Sequence, residues 1–217
     1  MKSATALLVF CLLTATGVRA DTIFSTFGAG QSFDIKSPGW SIGGALGGEF
    51  AASFAPTQNF TLDTISFAAK LLSGSDPLTV AIATDNASSP GAPIETFDVT
   101  SLSSTPTVLT VDSISHPLLS AGATYWVVLS TADSTSITWY WNDQMFVGVS
   151  SFSAGAWHAS GTEVPTPAFD VTGTLASTTI PEPASIWLLA AALVAGILLC
   201  RMSCQSNHFG DTRVTKG

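Results

Sequence analysis

Cysteine is missing from residues 21–180; the chain's three are Cys11, Cys200 and Cys204. That excludes disulfides, a thiolate zinc site and a thiol nucleophile from the central stretch. Basic side chains are nearly missing too. Between 21 and 180 there are thirteen acidic residues against Lys36 and Lys70, a net charge of −11 with His neutral. Such a surface repels phosphate backbones and anionic headgroups, which argues against nucleic acid as a partner and against adhesion through anionic lipid. No internal segment has the 3.6-residue apolar repeat of a helix, which leaves strands and turns.

What is present is a run of short alternating segments. Phe50, Ala52 and Phe54 alternate with Glu49, Ala51 and Ser53; Ile65, Phe67, Ala69 and Leu71 with Ser66, Ala68 and Lys70. Phe60 and Leu62 are out of phase with the second set, which predicts a bulge near Asp63-Thr64. Leu78, Val80 and Ile82 continue the pattern, as do Leu109 and Val111, residues 126–129, then Ile137, Trp139 and Trp141, then Phe169 and Val171. Turn residues separate them at 73–77, at 88–93 (Ser-Ser-Pro-Gly-Ala-Pro) and at Ala121-Gly122. Seven or more strands at this spacing predict an all-β fold, a single sandwich or jelly roll over 21–175. About 160 residues suffice for a core that needs no covalent ties.

The two ends read differently. Lys2, then the apolar stretch 4–13, then Val18-Arg19-Ala20 give the three regions of a signal peptide over 1–20, with cleavage between Ala20 and Asp21. A short polar linker, 176–183, ends in Pro181-Glu182-Pro183. Residues 184–200 are an unbroken apolar run closed by Arg201, and 201–217 form a polar tail. Seventeen residues at 1.5 Å each make about 26 Å of helix, the lower limit for a membrane span. Leucine, valine and isoleucine lie all round it, so no polar face is left for an interfacial helix. Trp187 suits the interface, and Arg201 would hold the cytoplasmic side.

Pro181-Glu182-Pro183, one apolar helix and a basic stop resemble the PEP-CTERM sorting signal of Gram-negative bacteria. The resemblance implies an exosortase-type sorting enzyme as partner, the inner membrane as a way station before processing, and an association with exopolysaccharide at the cell surface or outside it. It departs from the pattern at its end, where one Arg and a tail replace a basic cluster. The succession Gly-Glu-Phe-Ala-Ala-Ser-Phe-Ala-Pro (48–56), Phe-Thr-Leu-Asp-Thr-Ile-Ser-Phe (60–67), Leu-Thr-Val-Ala-Ile-Ala-Thr-Asp (78–85) and Thr-Tyr-Trp-Val-Val-Leu (124–129) resembles exported proteins with a choice-of-anchor R domain. More loosely it resembles carbohydrate-binding jelly rolls.

Chemistry is sparse. His116 and His158 have no metal-ligand neighbour at i+2 or i+4, and no Gly-x-Ser-x-Gly elbow accompanies them, so no catalytic residue is assigned. Asp76, Asp85 and Asp143 fall in turns, where a carboxylate bonds its own backbone. No cofactor is implied; calcium is the one metal that the oxygen-rich pairs Asp85-Asn86 and Asn142-Asp143 would suit. Trp139, Tyr140 and Trp141 place rings on both faces of one predicted strand, beside Asn142 and Asp143. An exposed ring there, with amide and carboxylate neighbours, is the pattern that grips a sugar; Trp40, Trp126 and Trp157 are candidates to join it. The alternative is that the rings fill the core. Three functions stay open, in this order: a non-enzymatic surface or matrix protein, a structural or adhesive module that binds proteins, and a glycan hydrolase with two facing carboxylates.

Overall fold

The computed structural model describes residues 20–176, apart from 38, 45–47, 76, 132–133, 154 and 160–163. The chain divides into two units, Met1–Ala176 and Ser177–Gly217. The expected leader 1–19, the linker from 177 and the apolar run 184–200 lie outside the described residues. Among those described, no helix is long and apolar enough to cross a membrane.

Thirteen strands follow one another among the described residues: β1 (Asp21–Ser25), β2 (Trp40–Gly43), β3 (Glu49–Phe54), β4 (Phe60–Ser73), β5 (Leu78–Asp85), β6 (Pro90–Val99), β7 (Thr107–Asp112), β8 (Leu118–Leu119), β9 (Tyr125–Thr131), β10 (Ser136–Trp139), β11 (Ser150–Ser153), β12 (Trp157–Ala159) and β13 (Phe169–Leu175). They form two antiparallel sheets, as an all-β sandwich requires. The seven-stranded sheet runs β1-β13-β4-β10-β2, with β7 and β8 also on β4; the six-stranded sheet runs β12-β11-β3-β9-β5-β6.

Alternation decides what lies between the sheets. Leu78, Val80 and Ile82 of β5, Phe50 and Phe54 of β3, and Phe67 and Ile65 of β4 are buried in one cluster. Rings interlock across it. Phe50 meets Trp139 edge-on at 6.0 Å, and Trp139 meets Phe169 at 5.9 Å. Each buried ring contributes roughly 1.5–3 kcal/mol, which is how a sandwich without disulfides holds together.

The bulge is where the phase change put it. Thr64 pairs with Thr172, but Gly173 pairs with Leu62, so Asp63 has no residue opposite. The extra residue keeps Phe60 and Leu62 inward along with Ile65 and Phe67. Strand β1 bulges at the same level, skipping Ile23 between Thr22 and Phe24.

Two expectations are corrected. Pro90-Gly91-Ala92-Pro93 is not a loop but the start of β6. The turn is tighter, over 86–89, where Ala87 and Ser88 take positive φ. Both prolines are accommodated because β6 is the sheet edge and its register with β5 is broken there. The Gly/Ser-rich surroundings of His158 predict a loop, but it lies in β12.

Candidate functional site

The expected ring platform at 139–143 is not an open surface. Strand β10 ends at Trp139, whose indole is fully buried and donates from Nε1 to the Ala168 carbonyl at 3.1 Å. Tyr140 turns to the other face, but Phe27 and Phe33 cover it, with Phe33 at 5.4 Å. Burial pushes its phenol up from the ordinary value of 10.0. Trp141 is half-buried, edge-on to Trp40 at 5.3 Å.

Asn142 is also buried, and its amide is committed. Nδ2 donates to the carbonyls of Thr166 (2.7 Å) and Phe146 (2.8 Å); Oδ1 accepts from the backbone N–H of Gln144 (3.0 Å) and Phe146 (2.8 Å). Only Asp143 is exposed. Hydrogen bonds from Gln144 and Ser32 hold its carboxyl below the usual range, against the nearby charge of Asp34. Sequence pattern placed these five residues side by side; it could not show that segment 26–34 folds over the second face.

The remaining candidates separate. Asp85 accepts from Trp126 Nε1 at 2.8 Å and from the Ser88 N–H at 3.2 Å, far in sequence from Asn142 and engaged otherwise. Among the described residues no three His, Cys, Asp or Glu side chains converge as a metal cluster. His116 takes φ 45° in its turn and bonds the Leu62 carbonyl through Nδ1 at 2.9 Å, with the bulged Asp63 at 3.6 Å. His158 lies against the Phe152 ring at 5.5 Å. Asp21 opens β1, so cleavage after Ala20 would leave that strand whole. Pro181, Glu182, Pro183 and Arg201 lie outside the described residues.

A different surface stands out on the outer face of the six-stranded sheet. Register alone builds it. Ser151 pairs with Ala51, Ala51 with Val128, Val128 with Ala81, and Ala81 with Thr96, a row of small side chains crossing five strands. To one side Ser153 pairs with Glu49, and Ser130 with Thr79, itself opposite Asp98. To the other side Ser53 and Ala83 flank Trp126. Trp157, on the edge strand opposite Ser153, stands half-buried at the end of the neighbouring Ser153–Glu49 row.

Trp126, Ala51, Ala83 and Val128 form a buried apolar cluster on this outer face, separate from the core, with Ala81 and Trp157 packed against it. Short side chains leave a hollow of about 220 Å³ over Ala81, Ala83 and Val128, bounded by Glu49, Thr79 and Trp157. A second hollow, about 260 Å³ beside Leu71 and Leu102, has no aromatic or ionisable lining among the described residues.

One signal for this surface was present in the sequence. The alternating pattern expected over 126–129 is corrected: Tyr-Trp-Val-Val-Leu (125–129) is apolar throughout and buried on both faces, the mark of an inner strand covered on each side. Strands β11 and β12 gave none, since Ser-Ser-Phe-Ser reads as loop. No protein-family model matches the chain, and no curated protein matches it.

Proposed function

We propose that this chain is an exported, non-enzymatic protein of the cell surface or extracellular matrix, its sandwich a jelly roll of the choice-of-anchor R type. In this reading residues 1–20 direct export and are removed. Residues 184–200 then hold the chain in the inner membrane, and an exosortase-type enzyme reads Pro181-Glu182-Pro183. The sorted domain associates with exopolysaccharide.

One observation carries the reading. The last strand among the described residues, β13, ends at Leu175, and five residues, 176–180, separate it from Pro181. At the other end β1 begins at Asp21, directly after the expected cut. Both address segments can therefore be removed without taking a strand from either sheet. Intact-mass measurement of the protein recovered from its own cells tests it. The expected product begins at Asp21 and ends near Pro181; a product retaining Gly217 in cells that carry the sorting enzyme would refute sorting.

A second reading, an adhesive module that contacts proteins, is favoured by one feature. Met145, Phe146 and Val147 are exposed at 79%, 42% and 50%, with Phe152 at 40%. Apolar side chains gathered in one segment are a usual mark of a protein contact.

A further inference from the structure

We infer that the trough on the outer face of the six-stranded sheet binds an uncharged polysaccharide chain, with Trp157 as the stacking ring. This deepens the proposed association with exopolysaccharide and rests on that reading for the source of the polymer.

Three features of the lining select this occupant. The floor is apolar and flat, because Ala81, Ala83 and Val128 are too short to project. A pyranose presents a matching face of C–H groups, and the half-buried indole of Trp157 at the edge offers a ring on which that face can stack. Hydroxyls border the floor: Thr79 and Ser130 stand side by side across one ladder, with Thr96 beyond. Thr79 Oγ1 donates to Asp98 at 3.1 Å, so toward a sugar hydroxyl it can act as an acceptor.

Charge then narrows the class. Glu49 lines the trough and Asp98 stands at its border, while none of the lining side chains among the described residues is basic. A uronate or sulfated polymer would meet two carboxylates with no counter-charge, whereas a neutral hexan or an N-acetylated one meets hydrogen-bond acceptors. Size narrows it further. Pockets that enclose whole small molecules measure roughly 300–1,000 Å³. The trough is smaller and crosses the strands along a pleat, so it holds one part of a chain that extends beyond it.

Trp126 is not a contact in this scheme. Its ring is fully buried, and its Nε1 bond to Asp85 ties β9 to the β5–β6 turn. It fixes the level of the floor and is a positioning residue.

The test is native affinity electrophoresis of the full chain, released in mild detergent. Separate gels hold dextran, mixed-linkage β-glucan, galactomannan or alginate. At least one of the three neutral polymers is expected to retard the protein, and alginate is not. Trp157→Ala should weaken the retardation about tenfold, the size expected when an aromatic contact and its covered area are lost. Trp157→Phe should keep part of it. Ala81→Phe, which fills the floor without touching Trp157, should abolish it. Melting midpoints measured alongside separate lost binding from lost folding. Retardation by none of the neutral polymers overturns the proposal. So does equal retardation by alginate, or unchanged retardation in both Trp157→Ala and Ala81→Phe when these variants melt normally. A failure of the export reading is distinguishable: it appears as a mature mass that keeps both ends and leaves the gels unaffected.

Discussion

Replacing Asn142 separates a sugar-contacting amide from a structural one. Asn142→Ala deletes four short hydrogen bonds, and a longer one from Nδ2 to Thr166 Oγ1 at 3.4 Å, at a site 3% exposed. At about 1 kcal/mol for each short bond the upper limit is about 4 kcal/mol. Part of this is recovered. The Thr166 carbonyl still accepts from the Asn142 backbone N–H at 3.2 Å, and the Phe146 carbonyl still accepts from the Thr166 N–H at 3.0 Å. The orphaned N–H groups belong to Gln144 and Phe146, both exposed, so water reaches them. The net loss works out at about 2–3 kcal/mol, a fall in melting midpoint of about 4–12 °C for a domain of this size. Asn142→Asp should cost more at neutral pH. It would set a carboxylate oxygen against the two carbonyls that Nδ2 now serves, and burial would raise that carboxyl's pKa. Its defect should therefore ease as the pH falls and the group takes up a proton. Tryptophan fluorescence melts report this directly, since Trp139 and Trp141 flank the site. A melt within about 1 °C of the parent for Asn142→Ala, the range of a neutral surface change, would refute the structural assignment. Lost sugar retention at an unchanged midpoint would refute it equally and restore the reading of Asn142 as a ligand contact.

Two further outcomes follow from the packing. Glu95 of β6 accepts from Ser113 Oγ (2.7 Å) and from the N–H groups of Ile114 (2.7 Å) and Ser115 (2.9 Å), joining the edge of one sheet to the turn after β7 in the other. Burial raises its carboxyl pKa, but the bonds from Ser115, Ser113 and Ile114 outweigh that and hold it below the ordinary 4.5. A depressed folded-state value means the stabilisation is present above 4.5 and is lost as pH falls through the folded value. Glu95→Ala should thus cost about 2 kcal/mol at pH 7 and converge with the parent in the acid range, measured by denaturant melts across pH. Gly173→Ala should destabilise by about 3 kcal/mol, because a Cβ there meets the Thr61 backbone carbonyl and the Ile23 side chain. At Gly122, which has open space around it, only the positive-φ strain of about 1 kcal/mol applies; equal melts for the two variants would contradict the doubled bulge.

The sandwich was legible because its inner strands alternate cleanly. Leu78, Val80 and Ile82 face inward with Thr79 and Ala81 between them, and no competing helical period exists. The bulge was legible for the same reason, as a phase slip between Leu62 and Ile65. Edges were not. Strands β2, β11 and β12 are three or four residues long and lean on neighbours for their pairing, so local pattern carries little of their energy. The ring site misled because Trp139-Tyr140-Trp141 has strand periodicity, while the strand stops at its first ring. What covers Tyr140 comes from residues more than a hundred positions earlier, Phe27 and Phe33. The trough depends on register between five strands, which no single segment encodes.

The pairing of β13 has a consequence in time. This strand, the last of the described residues, lies between β1 and β4, and β1 has no other strand partner among them. A chain delivered N-terminus first, from a ribosome or through a membrane, can close the β5–β6 hairpin early. It cannot complete the seven-stranded sheet. The edge of β4 from Phe60 to Phe67 waits open for more than a hundred residues, until Phe169–Leu175 arrives. An unpaired edge of that length invites pairing with the wrong chain. β13 is therefore a late-arriving lock on the β4 edge, and truncation just before it leaves an aggregation-prone sheet rather than a smaller domain.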